Sequence, residues 1–388
     1  MQTIQNPTFK TQRHSFTMDN LSLEIVQMIF SYVDDLDTLR AITSTCRYLH
    51  VAFASWEKPI VTQVLLNQLG WDVLPEAIAV DESSRLGPYD SQKAEEFSKR
   101  HLRHRMTSLD ESTCWNLTEA LQLARFYEVV EFLAEVIVES GWGSHVYNWI
   151  QEDQHDPGPS LADFYRVERA LYRFQLYWNI FGSSSAEVDL DEQRDVFFRH
   201  FNVWENEQLR CAQHLLHRMI LKPVEACKSF RSVDMRTWWG EDAQYLLSQG
   251  LEHIYRIATA DSTDDVLELI WDSYSRRSPG RVRNTLADGL RTFRSPNVAG
   301  LLFNELSVNE IESLLENPHC DDNNCSLMLL RFPVLYDDMR YADINGILPG
   351  MYSYLDEGYA FWGHYLPDDG NDVEDTIEAQ LRERERDE

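Results

Sequence analysis

From about Asn20 onward, apolar residues recur at intervals of three and four, the spacing of helices that bury one face. In LSLEIVQMIFSYV, the residues Leu21, Ile25, Met28, Ile29, Tyr32 and Val33 share one broad face, with Glu24 and Gln27 elsewhere. The next stretch, DDLDTLRAITSTCRYLHVAF, begins with Asp34, Asp35 and Asp37. Carboxylates there can accept the free backbone N–H groups at the start of a second helix. Leu36, Leu39 and Ile42 give that helix a short apolar face. Ser44 and Thr45 interrupt it or cap a third helix carrying Leu49 and Phe53. Three short helices in about forty residues enclose little volume, so such a unit needs a neighbour to cover its apolar side chains.

The pattern continues through the chain. A helix is expected within 56–75, after Pro59 and ending near Gly70, with Ile60, Val64 and Leu65 inward. Gly87 and Pro88 mark a turn. Residues 117–140 read as a long helix with Leu121, Phe126, Val129, Leu133 and Val136 in a stripe, stopped by Gly141 and Gly143. In LADFYRVERALYRFQLYWNIFG, the residues Phe164, Val167, Leu171, Phe174, Trp178 and Phe181 are three or four apart, and Tyr165, Tyr172, Leu176 and Tyr177 add apolar surface on other sides. A helix apolar almost all round belongs at the centre of a helical body, where Arg166, Arg169 and Arg173 need water or carboxylate partners. Further helices are expected at 192–222, 242–258, 263–274 and 308–316, the last opened by a Ser307–Glu310 capping box. Strand signatures are sparse and no repeat of fixed length is visible. The expected fold is mainly α, a short three-helix module followed by an irregular, multi-helix body.

Composition narrows the partners. Among 388 residues, 64 acids oppose 35 Lys and Arg, a formal charge of -29. This argues against nucleic acid as a partner and against a polybasic hold on anionic membrane. No stretch approaches the roughly 20 apolar residues of a membrane span, and the N-terminal run lacks the apolar core of a signal peptide. Six scattered cysteines do not form a disulfide framework, which points to an intracellular compartment, cytoplasm or nucleus. Part of the acidity is local: residues 368–388 hold ten acids and three arginines, and 367–388 reads as an acidic flexible tail.

The residues Leu21, Glu24, Ile25, Ile29, Tyr32, Val33, Asp37, Leu39, Thr45, Cys46, Arg47 and Leu49 together resemble the F-box family: a leucine-rich first helix, an acidic bend and a final Cys-Arg-x-Leu segment. The similarity covers residues 20–60. It departs from the family at Ser22, where proline is usual just after the first leucine; serine can cap a helix instead. The resemblance implies docking to the Skp-type adaptor of a cullin–RING ubiquitin ligase, with Leu21, Leu23, Ile25, Ile29, Leu36 and Leu39 in or beside the docking surface. Some of these six must instead hold the module together, and sequence does not divide the two sets. The segment from Leu161 to Gly182 resembles an element of fungal F-box-like proteins with helical C-terminal regions. On this reading residues 100–365 form a helical recognition domain for an unidentified protein substrate. Catalysis then belongs to partner proteins, and no cofactor is expected. The alternatives are an F-box interaction protein outside a ligase and a divergent enzyme with a pocket in the C-terminal body.

Motifs for chemistry are weak. There is no phosphate-binding glycine loop, dinucleotide fingerprint or nucleophile elbow. His101 with His104, His214 and His217 with Cys211, and His319 with Cys320 and Cys325 are the nearest approaches to metal-ligand spacing, and none forms a zinc pattern. Adjacent acids such as Asp264–Asp265 and Asp337–Asp338 supply no mechanism by adjacency alone. Trp238 and Trp239 read as packing residues. Lys99, Arg100, Arg103 and Arg105 read as a solvated helix face.

Overall fold

The computed structural model describes residues 21–102, 114–142, 159–182, 188–201, 203–226, 243–275 and 286–292. Every regular element among them is helical. Contacts divide the chain into two compact units, Met1–Trp71 with Leu109–Ala124, and Asp72–Ser108 with Arg125–Glu388.

The first unit contains α1 (Leu23–Phe30), α2 (Leu36–Thr43), α3 (Arg47–Ala54) and α4 (Glu57–Leu69). Asp35 caps α2 as its sequence suggests, its carboxylate accepting from the Thr38 backbone N–H at 2.7 Å. Ser22 stands at the N-cap position of α1 and Cys46 at that of α3, neither with a side-chain cap bond. Val26, Phe30, Leu36, Leu39, Leu49 and Phe53 form the interior with Ile60, Val61, Val64 and Leu65 of α4. Gln27 donates to the Ala52 carbonyl (3.1 Å) and to Ser55 Oγ (2.8 Å), joining α1 to α3. Asn67 of α4 donates to the Ser31 and Val33 carbonyls at 2.9 and 3.0 Å, holding the turn after α1. Because α4 packs against α1, α2 and α3, the first three helices are not a separate body.

The second unit is built around α8 (Leu161–Phe181), which packs against α5 (Leu74–Ser83) and α10 (Val203–Ala226). Between α5 and α8 in sequence lie α6 (Ser91–His101) and α7 (Leu117–Trp142). Between α8 and α10 come α9 (Leu190–Val196) and a short 3-10 turn, Phe198–His200. Ser160 and Asp163 form a capping box at the start of α8. Val167, Leu171, Phe174, Trp178 and Phe181 are buried, and so are Tyr172, Leu176 and Tyr177 on the other sides. Tyr177 packs against Phe181, Phe197 and Phe198 with ring centroids 5.0, 5.5 and 5.8 Å away.

Several sequence expectations change. The single helix expected at 192–222 is α9 and α10, because Phe197, Phe198 and Phe201 turn into the core and the chain bends to place them. That expected at 242–258 is α11 (Ala243–Leu247) and α12 (Leu251–Ala258), separated at Gly250, whose φ is 86°. The Gln175 side chain accepts from the Leu251 N–H at 2.8 Å, and a Cβ on Gly250 would lie 2.6 Å from that same oxygen. On α7 the inward residues are Leu123, Tyr127, Val130, Leu133, Ala134 and Ile137; Leu121, Phe126, Val129 and Val136 of the expected stripe are half-buried. The helix expected at 263–274 is α13 (Thr263–Ser275). Where only turn punctuation was read, α14 (Leu286–Thr292) forms. The expected helix at 308–316 and the tail at 367–388 lie outside the described residues, as do Trp238, Trp239, Asp337, Asp338 and the His319–Cys325 cluster.

Candidate docking surface

Helix α1 has two apolar faces, and the fold uses one. Val26 and Phe30, one turn apart, point inward at 0% exposure. Ile25 with Ile29, and Met28 with Tyr32, are also one turn apart and remain outside at 39, 38, 48 and 78% exposure. The broad apolar face read from sequence, left open between interface and interior, is thus largely the solvent side of α1. Sequence left the division open for a plain reason: with apolar residues on most sides of an eight-residue helix, spacing does not say which stripe meets the neighbours.

The six residues singled out by sequence divide accordingly. Ile25 and Ile29 are on the exposed face; Leu21, just before the helix, and Leu23, on the side of Val26 and Phe30, are half-buried. Leu36 and Leu39 are fully buried on α2. Tyr48 of α3 donates its hydroxyl to the Leu21 carbonyl, fixing where the chain enters α1. Glu24, Asp34 and Asp37 are exposed acids around this helix and the turn after it. Glu24's own backbone N–H and the Ser22 hydroxyl hold its carboxyl below the ordinary glutamate value, so it is charged at neutral pH. Exposed apolar side chains in a row with a polar edge suit a partner's groove: fully burying each contributes about 1.5–3 kcal/mol.

The second unit holds groups able to do chemistry, and their geometry is informative. A cavity of ≈ 210 Å³ is lined by Gln249, Glu252, His253, Arg256, Leu269, Asp272 and Ser273. It is smaller than the roughly 300 Å³ at which ligand pockets usually begin. In it Ser273 Oγ lies 3.1 Å from His253 Nε2 and donates to the Leu269 carbonyl at 2.9 Å. When the serine proton serves that carbonyl, His253 donates through Nε2–H; which partner donates is set by the histidine tautomer. A general base for a serine nucleophile would accept instead. The pair ties α12 to α13.

Among the histidines expected near metal-ligand spacing, His217 is pushed down to about 4 by burial, reinforced by His214, so it is neutral at pH 7. Cys211 is fully buried. His101 contacts Glu82 at 2.9 Å and stacks on Phe97; His104 lies outside the described residues. No group of three His, Cys, Asp or Glu among the described residues is placed to hold a metal ion. Asp265 belongs to the Ser262 cap of α13, accepting from its hydroxyl at 2.6 Å. Lys99 and Arg100 are exposed and face Glu95 and Glu82. No helix among the described residues is long and apolar enough to cross a membrane.

The residue that sequence reading under-used is Arg173. It is 1% exposed and bonded to Glu205 at 2.6 Å and Glu76 at 3.2 Å, with the Phe201 ring 5.2 Å from its guanidinium carbon. The need for carboxylates was legible; their positions, 97 and 32 residues away in sequence, were not. Comparison of the chain with family models, with curated proteins and with solved structures finds no match in any of the three.

Proposed function

We propose that residues 20–60 act as an F-box-like docking segment for a Skp-type adaptor, and that the chain recruits an unidentified protein substrate to a cullin–RING ubiquitin ligase. The observation that carries this reading is the row Ile25, Met28, Ile29 and Tyr32, apolar and exposed on a helix whose opposite side is already satisfied by the core. Leu21 precedes the row just before α1, and Leu23, on the side of Val26 and Phe30, is half-buried. Leu36 and Leu39 support it from within by holding α2 in place. The helical body from residue 100 to 365 then presents the substrate, and ubiquitin transfer belongs to the partner enzymes. The acids Glu24, Asp34 and Asp37 add a charged edge that favours a partner with basic groups beside an apolar groove.

Calorimetry with the purified chain and a Skp-type adaptor tests this. Binding in the micromolar range or tighter is expected, and an Ile25→Asp/Ile29→Asp chain should bind at least about tenfold more weakly, since each lost apolar anchor is worth more than the 1.4 kcal/mol that tenfold represents. No association at micromolar protein sinks the proposal. Adaptor binding without cullin association would instead identify an interaction protein that uses the segment outside a ligase.

A further inference from the structure

Glu168 lies on the inner side of α8 with 4% of its surface exposed. Across from it on α7, Tyr127 donates its hydroxyl to Glu168 Oε1 at 3.2 Å. The other carboxyl oxygen, Oε2, is enclosed and has no hydrogen-bond partner; the Tyr172 hydroxyl one turn along α8 is in the same position. No cation among the described residues reaches Glu168. Arg169 follows it in sequence and makes no ion pair with it, while Arg173 is engaged by Glu76 of α5 and Glu205 of α10. The charged and titratable groups around it are Tyr127 and Glu131 from α7, Tyr165, Arg169 and Tyr172 from α8, and Glu76 from α5. From α10, Glu205 and Gln208 are turned on Arg173. Nearly all of these are neutral or acidic.

A buried carboxylate without a cation and with one oxygen unserved is unstable as an ion and far less so as a neutral acid. We propose that Glu168 is a proton-binding site of the fold, held as a neutral carboxylic acid between α7 and α8, and that the contact of these helices loosens when the proton leaves.

Burial raises the Glu168 pKa from 4.5 to about 7; the Tyr127 hydrogen bond opposes the rise and the Glu131 charge adds to it. Glu131, on the outer side of α7, is also raised, by partial desolvation with Glu135 and Glu128 adding to it, so an ionised Glu168 stands near a second carboxylate. The sign follows from linkage. Between the unfolded value of 4.5 and the folded value of about 7, the folded chain holds a proton that the unfolded chain has released. Its contribution to stability is full below pH 4.5, is lost as pH rises through about 7, and is flat above.

The test is urea unfolding of the full chain across pH 4.5–8, parent against Glu168→Gln, so that the general repulsion within an acidic chain cancels in the difference. The folding equilibrium constant of the parent should fall relative to E168Q by up to about tenfold per pH unit below neutrality. Parallel profiles for the two chains overturn the proposal. Should E168Q not fold, Tyr127→Phe decides. Loss of the hydroxyl that favours the ionised acid must carry the upper end of the fall to higher pH, and an upper end that is unmoved or lower overturns the proposal.

Discussion

Helices α1 and α8 are both apolar on more than one side, and the fold treats them in opposite ways. In α8 most of the surface beyond its first turn is enclosed, and even Arg166 and Arg173 are brought inside: Arg166 bonds Asp163 at 2.6 Å and Arg173 bonds two carboxylates. In α1 the core takes Val26 and Phe30 and leaves Ile25, Met28, Ile29 and Tyr32 in water. A helix surrounded by other helices uses all its apolar surface for folding. A short helix at the edge of a small unit has more than it can bury, and the remainder is available to a partner. The same apolar richness therefore marks a structural centre in one region and a docking candidate in the other.

This contrast makes predictions that differ in size. The largest is at α8. Arg173→Ala leaves Glu76 and Glu205 near one another, mostly buried, without their cation, and should destabilise the chain by about 3–5 kcal/mol in urea unfolding. A loss under about 1 kcal/mol would mean that the arginine is not the tie between α5, α8 and α10. Smaller is the effect at the break that lets α12 pack beside α8. Gly250→Ala forces a residue with a Cβ to φ 86° and against the Gln175 carboxamide, at a cost of about 1–3 kcal/mol measured the same way. A neutral result would show that the α11–α12 bend can relax.

The smallest effect on stability, and the sharpest on the comparison, is expected at α1. Ile25→Asp and Ile29→Asp should each cost about 1 kcal/mol in unfolding stability, well below a core truncation, because both side chains are partly exposed, at 39 and 38%. Unfolding of either variant would place that face inside the protein and remove the difference between the two helices. Leu36→Ala and Leu39→Ala serve as the internal standard: both residues are fully buried, and either truncation should cost about 2–5 kcal/mol.

How far each element could be read from sequence depended on whether its signal was local. Asp35 caps α2 through a bond to a backbone group three residues away, so a few letters suffice to foresee it. Helix α8 is a similar case, its apolar run unambiguous at 21 residues; the Ser160–Asp163 box that opens it was not read, although its partners are three residues apart. The breaks at Phe197–Phe201 and Gly250 were not foreseen. The first answers to aromatic packing with Tyr177, and the second to a hydrogen bond from Leu251 to Gln175, 76 residues distant. At the candidate site the residue types were legible and their division was not: Ile25 and Leu36 are alike by composition and spacing, yet one is exposed and the other sealed.

What the sequence determined by itself is the helical character of most of the described regions, α5 and α14 excepted, and many of their starting points, because periodicity and caps are written within one or two turns of chain. What only the tertiary structure decided is the direction each helix faces, which carboxylates meet Arg173, and that Glu168 lies buried without a cation. Those outcomes depend on groups far apart in sequence competing for one limited interior, and the winners of that competition are set by packing rather than by spacing along the chain.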